Sequence, residues 1–213
     1  MKIIRIAYIC LLLLLFGCSQ TQWAKYYLLD YVPPVLENDR LSESFNYSIQ
    51  VQEFKIDRTY DNSRIVIRQS AHEVYYDRLS LWARRPPDAI ASLITNHIKA
   101  LNLVTNCRRT FLESRPDFII SGTIHNIEKY MSDIPQNEFL RADLSISLQM
   151  IDTKTDKIVV RHNFIRYTPL YTQSMSYFAK TLSDTLKNEI SIFLRKVQEY
   201  FETIQHQPNP LQG

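Results

Sequence analysis

Ala142-Asp143-Leu144-Ser145-Ile146-Ser147-Leu148-Gln149-Met150 sets an apolar residue at every second position, with Asp, Ser, Ser and Gln between them. Successive strand side chains point to opposite faces, so this stretch makes a strand with one face on a core. Asp152-Thr153-Lys154-Thr155-Asp156 follows, a run of residues suited to a turn. Lys157 to Tyr167 then returns as the partner of a hairpin.

Working outward, a long helix is expected after Ser174. Met175, Phe178, Ala179, Leu182, Leu186, Ile190, Phe193, Leu194 and Val197 recur at three- and four-residue intervals and form one apolar stripe. Such a stripe serves as core; a lipid-binding face is the alternative. Upstream, Phe118 to Ile124 reads as a strand, and so do Trp23 to Tyr31, stopped by Pro33-Pro34, and Tyr47, Ile49 and Val51 with polar residues between. Glu37 to Asn46 reads as a loop and Asp57 to Ser63 as a turn, with Arg64 to Arg68 and Glu73 to Tyr76 as two further strands. Pro86-Pro87-Asp88 opens a first helix, where proline needs no amide and an acid suits the positive end of the dipole. Ile90, Leu93, Ile94, His97, Ile98 and Leu101 give that helix one buried face. The fold class is α+β: a mainly antiparallel β-sheet with two amphipathic helices packed on one face.

The N-terminus carries an address. Lys2 and Arg5 precede a compact apolar run to Phe16, too short for a stable membrane span, and Gly17-Cys18 follows. Leu15-Phe16-Gly17-Cys18 resembles the bacterial lipobox, in which the cysteine takes a diacylglycerol on sulfur and becomes the new N-terminus. An ordinary signal or anchor with a chance cysteine is the alternative. The organisation expected is a signal peptide over 1–17, a lipidated tether over 18–22, one α+β domain over 23–204 and a frayed tail over 205–213. Ser19 to Gln22 reach only about 15 Å when extended, so the folded body is expected against the bilayer that holds Cys18.

Processing removes Lys2 and Arg5, two of 25 basic side chains, and leaves them one in excess of the 22 acidic ones. A near-neutral chain without a Lys/Arg tract is not expected to bind nucleic acid. Cys10 leaves with the signal and Cys18 takes lipid, so Cys107 alone remains, with no partner for an internal disulfide; it reads as a buried strand residue. Of three glycines only Gly122 lies inside the expected domain, which excludes a recognisable P-loop, dinucleotide fingerprint or esterase elbow. His72, His97, His125, His162 and His206 are scattered without metal-ligand spacing. No metal, cofactor or catalytic residue is expected, and His97 and His162 read as structural histidines on apolar faces.

Tyr75, Tyr76, Trp82, Arg84 and Arg85 gather just before the Pro86-Pro87 helix start. Tyr, Trp and Arg concentrate at binding hot spots, because they bury large area while keeping a polar handle. These five are the candidate partner-binding residues. The competing reading has Trp82 plugging the core while Arg84 and Arg85 stay solvated, and the tyrosine-rich first strand is also compatible with a membrane-proximal belt.

The order of motifs resembles one family. Tyr26-Tyr27-Leu28-Leu29-Asp30, Ile49-Gln50-Val51, Tyr60-Asp61 leading to Arg64 through Arg68, Val74-Tyr75-Tyr76 with Trp82-Ala83, and Asp117 through Gly122 are similar to the ABC-type transport auxiliary lipoproteins. Arg84-Arg85 departs from the variable, often acidic residues of that place. The resemblance implies a non-catalytic periplasm-facing lipoprotein accompanying a lipid-transport system of mammalian-cell-entry-domain proteins, whose permease and ATPase are other chains. It implies the outer rather than the inner membrane, since Ser19 stands where Asp would signal inner-membrane retention. Homo-oligomerisation stays open, and a lipid carrier with an acyl-chain groove is the rival function; an ester hydrolase lacks its nucleophile motif.

Overall fold

The structure, a computed structural model, describes residues 22–34, 41, 43–112, 114–132 and 139–206. The signal-peptide and Cys18 readings therefore lie outside the described residues, as do residues 37–40 and 42 of the expected 37–46 loop and the chain beyond His206, while Phe45 and Asn46 of that loop belong to a strand. The strands are β1 (Lys25–Tyr27), β2 (Phe45–Val51), β3 (Lys55–Ile56), β4 (Arg64–Arg68), β5 (Val74–Trp82), β6 (Val104–Arg108), β7 (Phe118–Met131), β8 (Leu140–Asp152) and β9 (Lys157–Pro169). The helices are α1 (Pro86–Ala100) and α2 (Met175–His206), with a 3-10 turn at Arg58–Tyr60.

The hairpin that the alternation predicts is β8–β9, antiparallel, with Leu144 opposite Arg166, Ile146 opposite Phe164 and Leu148 opposite His162. Ala142, Leu144, Ile146, Leu148 and Met150 are all buried beneath the helices. The connecting turn is held by the Asp152 carboxylate, which accepts from the amides of Lys154 at 2.7 Å and Thr155 at 3.1 Å. Asp156 supplies the left-handed residue the turn needs, at φ 55°.

β7 organises the rest. One edge carries β8 in a long antiparallel ladder; the other carries β2, β3 and β4 one after another, all parallel to it. A strand of 14 residues spans about 46 Å, long enough to seat three short strands end to end. The sheet is thus mixed, with its longest ladders antiparallel. Beyond β4 lie β5, antiparallel, and then β1, parallel to β5; β6 runs parallel to β2.

Several strands differ in extent from the expectation. β1 covers only Lys25–Tyr27, because Leu29 turns into the core and the Asp30 amide leaves the ladder to bond the Ser183 hydroxyl at 3.1 Å. β5 runs on to Trp82, and β6 is an added strand, whose Thr105 and Asn106 interrupt the apolar alternation. β7 continues to Met131 through a register shift between Ile124 and Asn126. That bulge puts both Ile124 and Ile127 into the core and throws Glu128 to the opposite face, which disguises the strand in the sequence.

α1 starts at Pro86-Pro87 with Asp88 in its first turn, and Ile90, Leu93, Ile94, His97 and Ile98 are buried. It ends on Asn102, at φ 54°, where the Leu103 amide bonds the Ile98 carbonyl and the Asn102 amide bonds that of Lys99. This is the left-handed termination that satisfies the last carbonyls, closed by contact between two buried apolar residues. α2 lays its stripe along the sheet, and Phe178, Phe193 and Phe201 are fully enclosed. Gly122 faces Phe54: a β-carbon there would strike the Phe54 ring and the Ser147 carbonyl.

Candidate partner surface

The N-terminal ribbon is strapped to both helices. Tyr27 lies beside Trp82 in register and its carbonyl accepts from the Ala83 amide at 2.8 Å. Asp30 bonds Ser183 of α2, and the Tyr31 hydroxyl meets Nδ1 of His97 of α1 at 3.1 Å. Burial holds the His97 pKa at about 4 and pushes that of Tyr31 upward, so both are neutral at pH 7. His97 is thus a satisfied core histidine.

Where the chain leaves β5 it emits the two arginines. Arg84 Nε lies 3.4 Å from Asp88, four positions on, and Arg85 pairs with Asp61 of the 3-10 turn. Arg109 holds Asp88 from the other side, with Nη1 3.0 Å from its carboxylate and also 3.0 Å from the Ser92 hydroxyl. Both arginine heads are about half exposed. Tyr76 donates to the Thr59 carbonyl at 3.2 Å and borders a cleft with Asn62, Ser63 and Arg64. The turn at 57–64 therefore joins Tyr76 and Arg85 into one surface. Arg84 borders a second cleft of about 320 Å³ with Leu28 and Leu29 of the ribbon and Leu93 of α1.

Two of the five sequence candidates do not belong with that surface. Trp82 is 4% exposed and packs toward Phe178, ring centres 6.2 Å apart, so it is core and not a docking side chain. Tyr75 stands next to Ile67 on the side opposite to Tyr76, since adjacent strand residues face apart. Asp61, Asp88 and Arg109 are additions; the Arg84–Asp88 spacing was a usable signal for one of them.

Two buried ionic networks lie elsewhere. On the sheet face away from the helices, Glu128 accepts from Arg68 Nε at 2.5 Å, Tyr60 at 2.8 Å and Asn126 at 3.0 Å, while Asp143, the ladder partner of Glu128, accepts from Arg141, two positions before it on the same strand, at 2.7 Å. Burial raises the Asp143 pKa, with Arg141 opposing it and Glu128 adding to it. Under α2, Glu189 joins Nε2 of His162 and Nη2 of Arg166, each at 2.7 Å, and Lys196 meets the other His162 nitrogen at 3.1 Å. Each of these carboxylates is paired with an arginine of the same domain. Burial lifts the Cys107 thiol to about 12, which leaves it a poor nucleophile. Among the described residues no group of three or more His, Cys, Asp or Glu is placed to hold a metal ion, and no helix is long and apolar enough to cross a membrane.

The architecture is a mixed sheet under two helices, fed by an N-terminal ribbon. Residues 27–190 match the family model of the ABC-type transport auxiliary lipoprotein component, and the chain belongs to that family. Among solved structures it is similar to a protein from Xanthomonas campestris of the family DUF330, with TM-score 0.70 at 13% identity, covering 86% of this chain and 100% of that one. It is also similar to an uncharacterised protein with TM-score 0.63 at 11% identity, covering 82% and 99%. Identities this low establish the shared fold. No curated protein matches the chain.

Proposed function

We propose that the chain is a non-catalytic accessory subunit, anchored through a lipid on Cys18, that docks a mammalian-cell-entry-domain protein of an ABC-type lipid-transport system at the membrane surface. The family membership carries this reading. The surface made by Tyr76, Arg84, Arg85 and the 57–64 turn is the docking face, and Tyr75 lies on the other side of its strand. Exposed ion pairs such as Arg84–Asp88 contribute about 0–1 kcal/mol, so a partner carboxylate or phosphate can take over either arginine at little cost. The outer membrane is the address we favour, from Ser19. The rival lipid carrier finds less support, because Phe178, Phe193 and Phe201 occupy the space between sheet and helices where an acyl chain would lie.

Crosslinking in native membranes, followed by purification and identification of both proteins and lipids, tests this. Recovery of a mammalian-cell-entry-domain protein that is lost in R84E/R85E supports docking. Stoichiometric phospholipid without a protein partner moves the function to a carrier. If Cys18→Ala leaves the protein membrane-bound and transport intact, the anchoring reading is wrong.

A further inference from the structure

Twelve large apolar side chains are exposed among the described residues, and four of them lie within the ten residues of one ribbon: Trp23, Tyr26, Leu28 and Val32, at 81%, 66%, 59% and 85%. Their placement is not that of a loose arm. Leu29 is buried between Leu28 and the Asp30–Ser183 bond, and Tyr31 is tied to His97 immediately before Val32. The inward residues fasten the ribbon to α1 and α2, and the exposed apolar residues are thereby held along a fixed segment of chain. Leu28 and Leu29 of this segment line the cleft of about 320 Å³ that Arg84 borders, and Lys25 adds an exposed cation on the ribbon.

The chain outside the structure decides what covers this segment. Only Ser19, Gln20, Thr21 and Gln22 separate Cys18 from Trp23, a reach of about 15 Å. A lipid on Cys18 therefore brings Trp23 to the depth of the headgroups. Tryptophan and tyrosine favour that layer, because an apolar ring with one polar atom suits a boundary between hydrocarbon and water. Lysine and arginine stems lie along apolar surface while their heads reach phosphate. The two acyl chains of a diacylglycerol on Cys18 suffice for a durable anchor, so an interfacial contact from the ribbon serves to orient the domain on the bilayer.

We propose that the ribbon Trp23–Val32 is the membrane-seating edge of the folded domain: Trp23, Tyr26, Leu28 and Val32 enter the headgroup layer of the bilayer, and Lys25 faces its phosphates. The proposal rests on the reading of Cys18 as lipidated. Because the ribbon is strapped to both helices, its seating sets the orientation of the whole domain, with the β1 edge toward lipid.

The chain has two tryptophans, and Trp82 is enclosed in the core, so Trp23 is a built-in reporter. The lipidated full-length protein is reconstituted into phosphatidylethanolamine–phosphatidylglycerol vesicles, with and without phospholipids brominated near the glycerol end of the acyl chain. The expected result is a blue shift on reconstitution and loss of the Trp23 share of the emission in brominated vesicles, with little effect of aqueous iodide. Trp23→Phe should leave only the Trp82 emission, insensitive to either quencher. If the protein floats with vesicles but Trp23 is quenched by iodide and untouched by bromine, the seating proposal fails while the anchor stands. Shielding from both quenchers means that a second copy or another protein covers the ribbon, which also overturns it. If the wild-type protein neither floats nor carries lipid mass on Cys18, the anchoring reading and this proposal fall together.

Discussion

The Tyr31 hydroxyl lies 3.1 Å from Nδ1 of His97, a bond between the N-terminal ribbon and the buried face of the first helix. It replaces the continued β ladder that the Tyr-rich sequence suggests and ties the ribbon to the domain.

Removing that hydroxyl should loosen the ribbon without unfolding the protein. Tyr31→Phe is expected to cost about 1–2 kcal/mol, the loss of one bond plus an unpaired His97 nitrogen. Hydrogen exchange should rise at the amides of Asp30 and Ala83, which bond Ser183 and Tyr27, while β7 and β8 amides stay protected.

His97 should make the protein sensitive to acid in a defined window. Its pKa is about 4 in the folded state, against about 6.5 when unfolded. The unfolded chain therefore binds the proton first, and stability contributed by neutral His97 is complete above pH 6.5 and is lost as the pH falls to 4. The full loss is on the order of 3 kcal/mol. Urea denaturation at pH 7.5, 5.5 and 4 should show this decline in the wild type and a shallower one in His97→Gln.

Gly122→Ala should destabilise the sheet by about 1–3 kcal/mol, because the added methyl meets a ring and a backbone carbonyl at once. Phe54→Ala combined with it should recover part of that loss relative to the sum of the two single changes, leaving the clash with Ser147. Thermal or urea unfolding of the four proteins measures the coupling.

Glu189→Leu leaves the His162 and Arg166 partners without their carboxylate and should cost about 3–5 kcal/mol. Arg115→Ala breaks an ion pair that is exposed on both sides and should change stability by less than about 0.5 kcal/mol. Similar losses in the two variants would contradict the buried network.

Trp82→Ala and R84E/R85E should separate folding from docking. The first empties a core site and is expected to cost about 3–5 kcal/mol. The second should leave the melting temperature within a few degrees of wild type, because both arginines are exposed. A stable Trp82→Ala protein would return that side chain to the surface.

The alternation in 142–150 was enough for the β8–β9 hairpin, since a period of two has one burial solution once a core exists. The helix that follows Ser174 and the one opened by Pro86-Pro87 were equally readable, because period, proline placement and charge agree there. The readings of 1–17 and Cys18 also rest on sequence alone. What the sequence left undecided depends on neighbours distant along the chain. Alternation says which face is buried but not which way the adjacent strand runs, so the parallel seating of β2, β3 and β4 along β7 was invisible. A bulge at Ile124–Asn126 reverses the pattern inside β7 and makes Glu128 and Lys129 look like solvent residues. Trp82 shows the same limit at the candidate surface: its type suits a hot spot and a core alike, and only the placement of Phe178 from the far end of the chain put it inside. Local chemistry determined the main elements, whereas pairing direction, the strapped ribbon and the division of five candidates into core and surface were decided by contacts that exist only in the folded state.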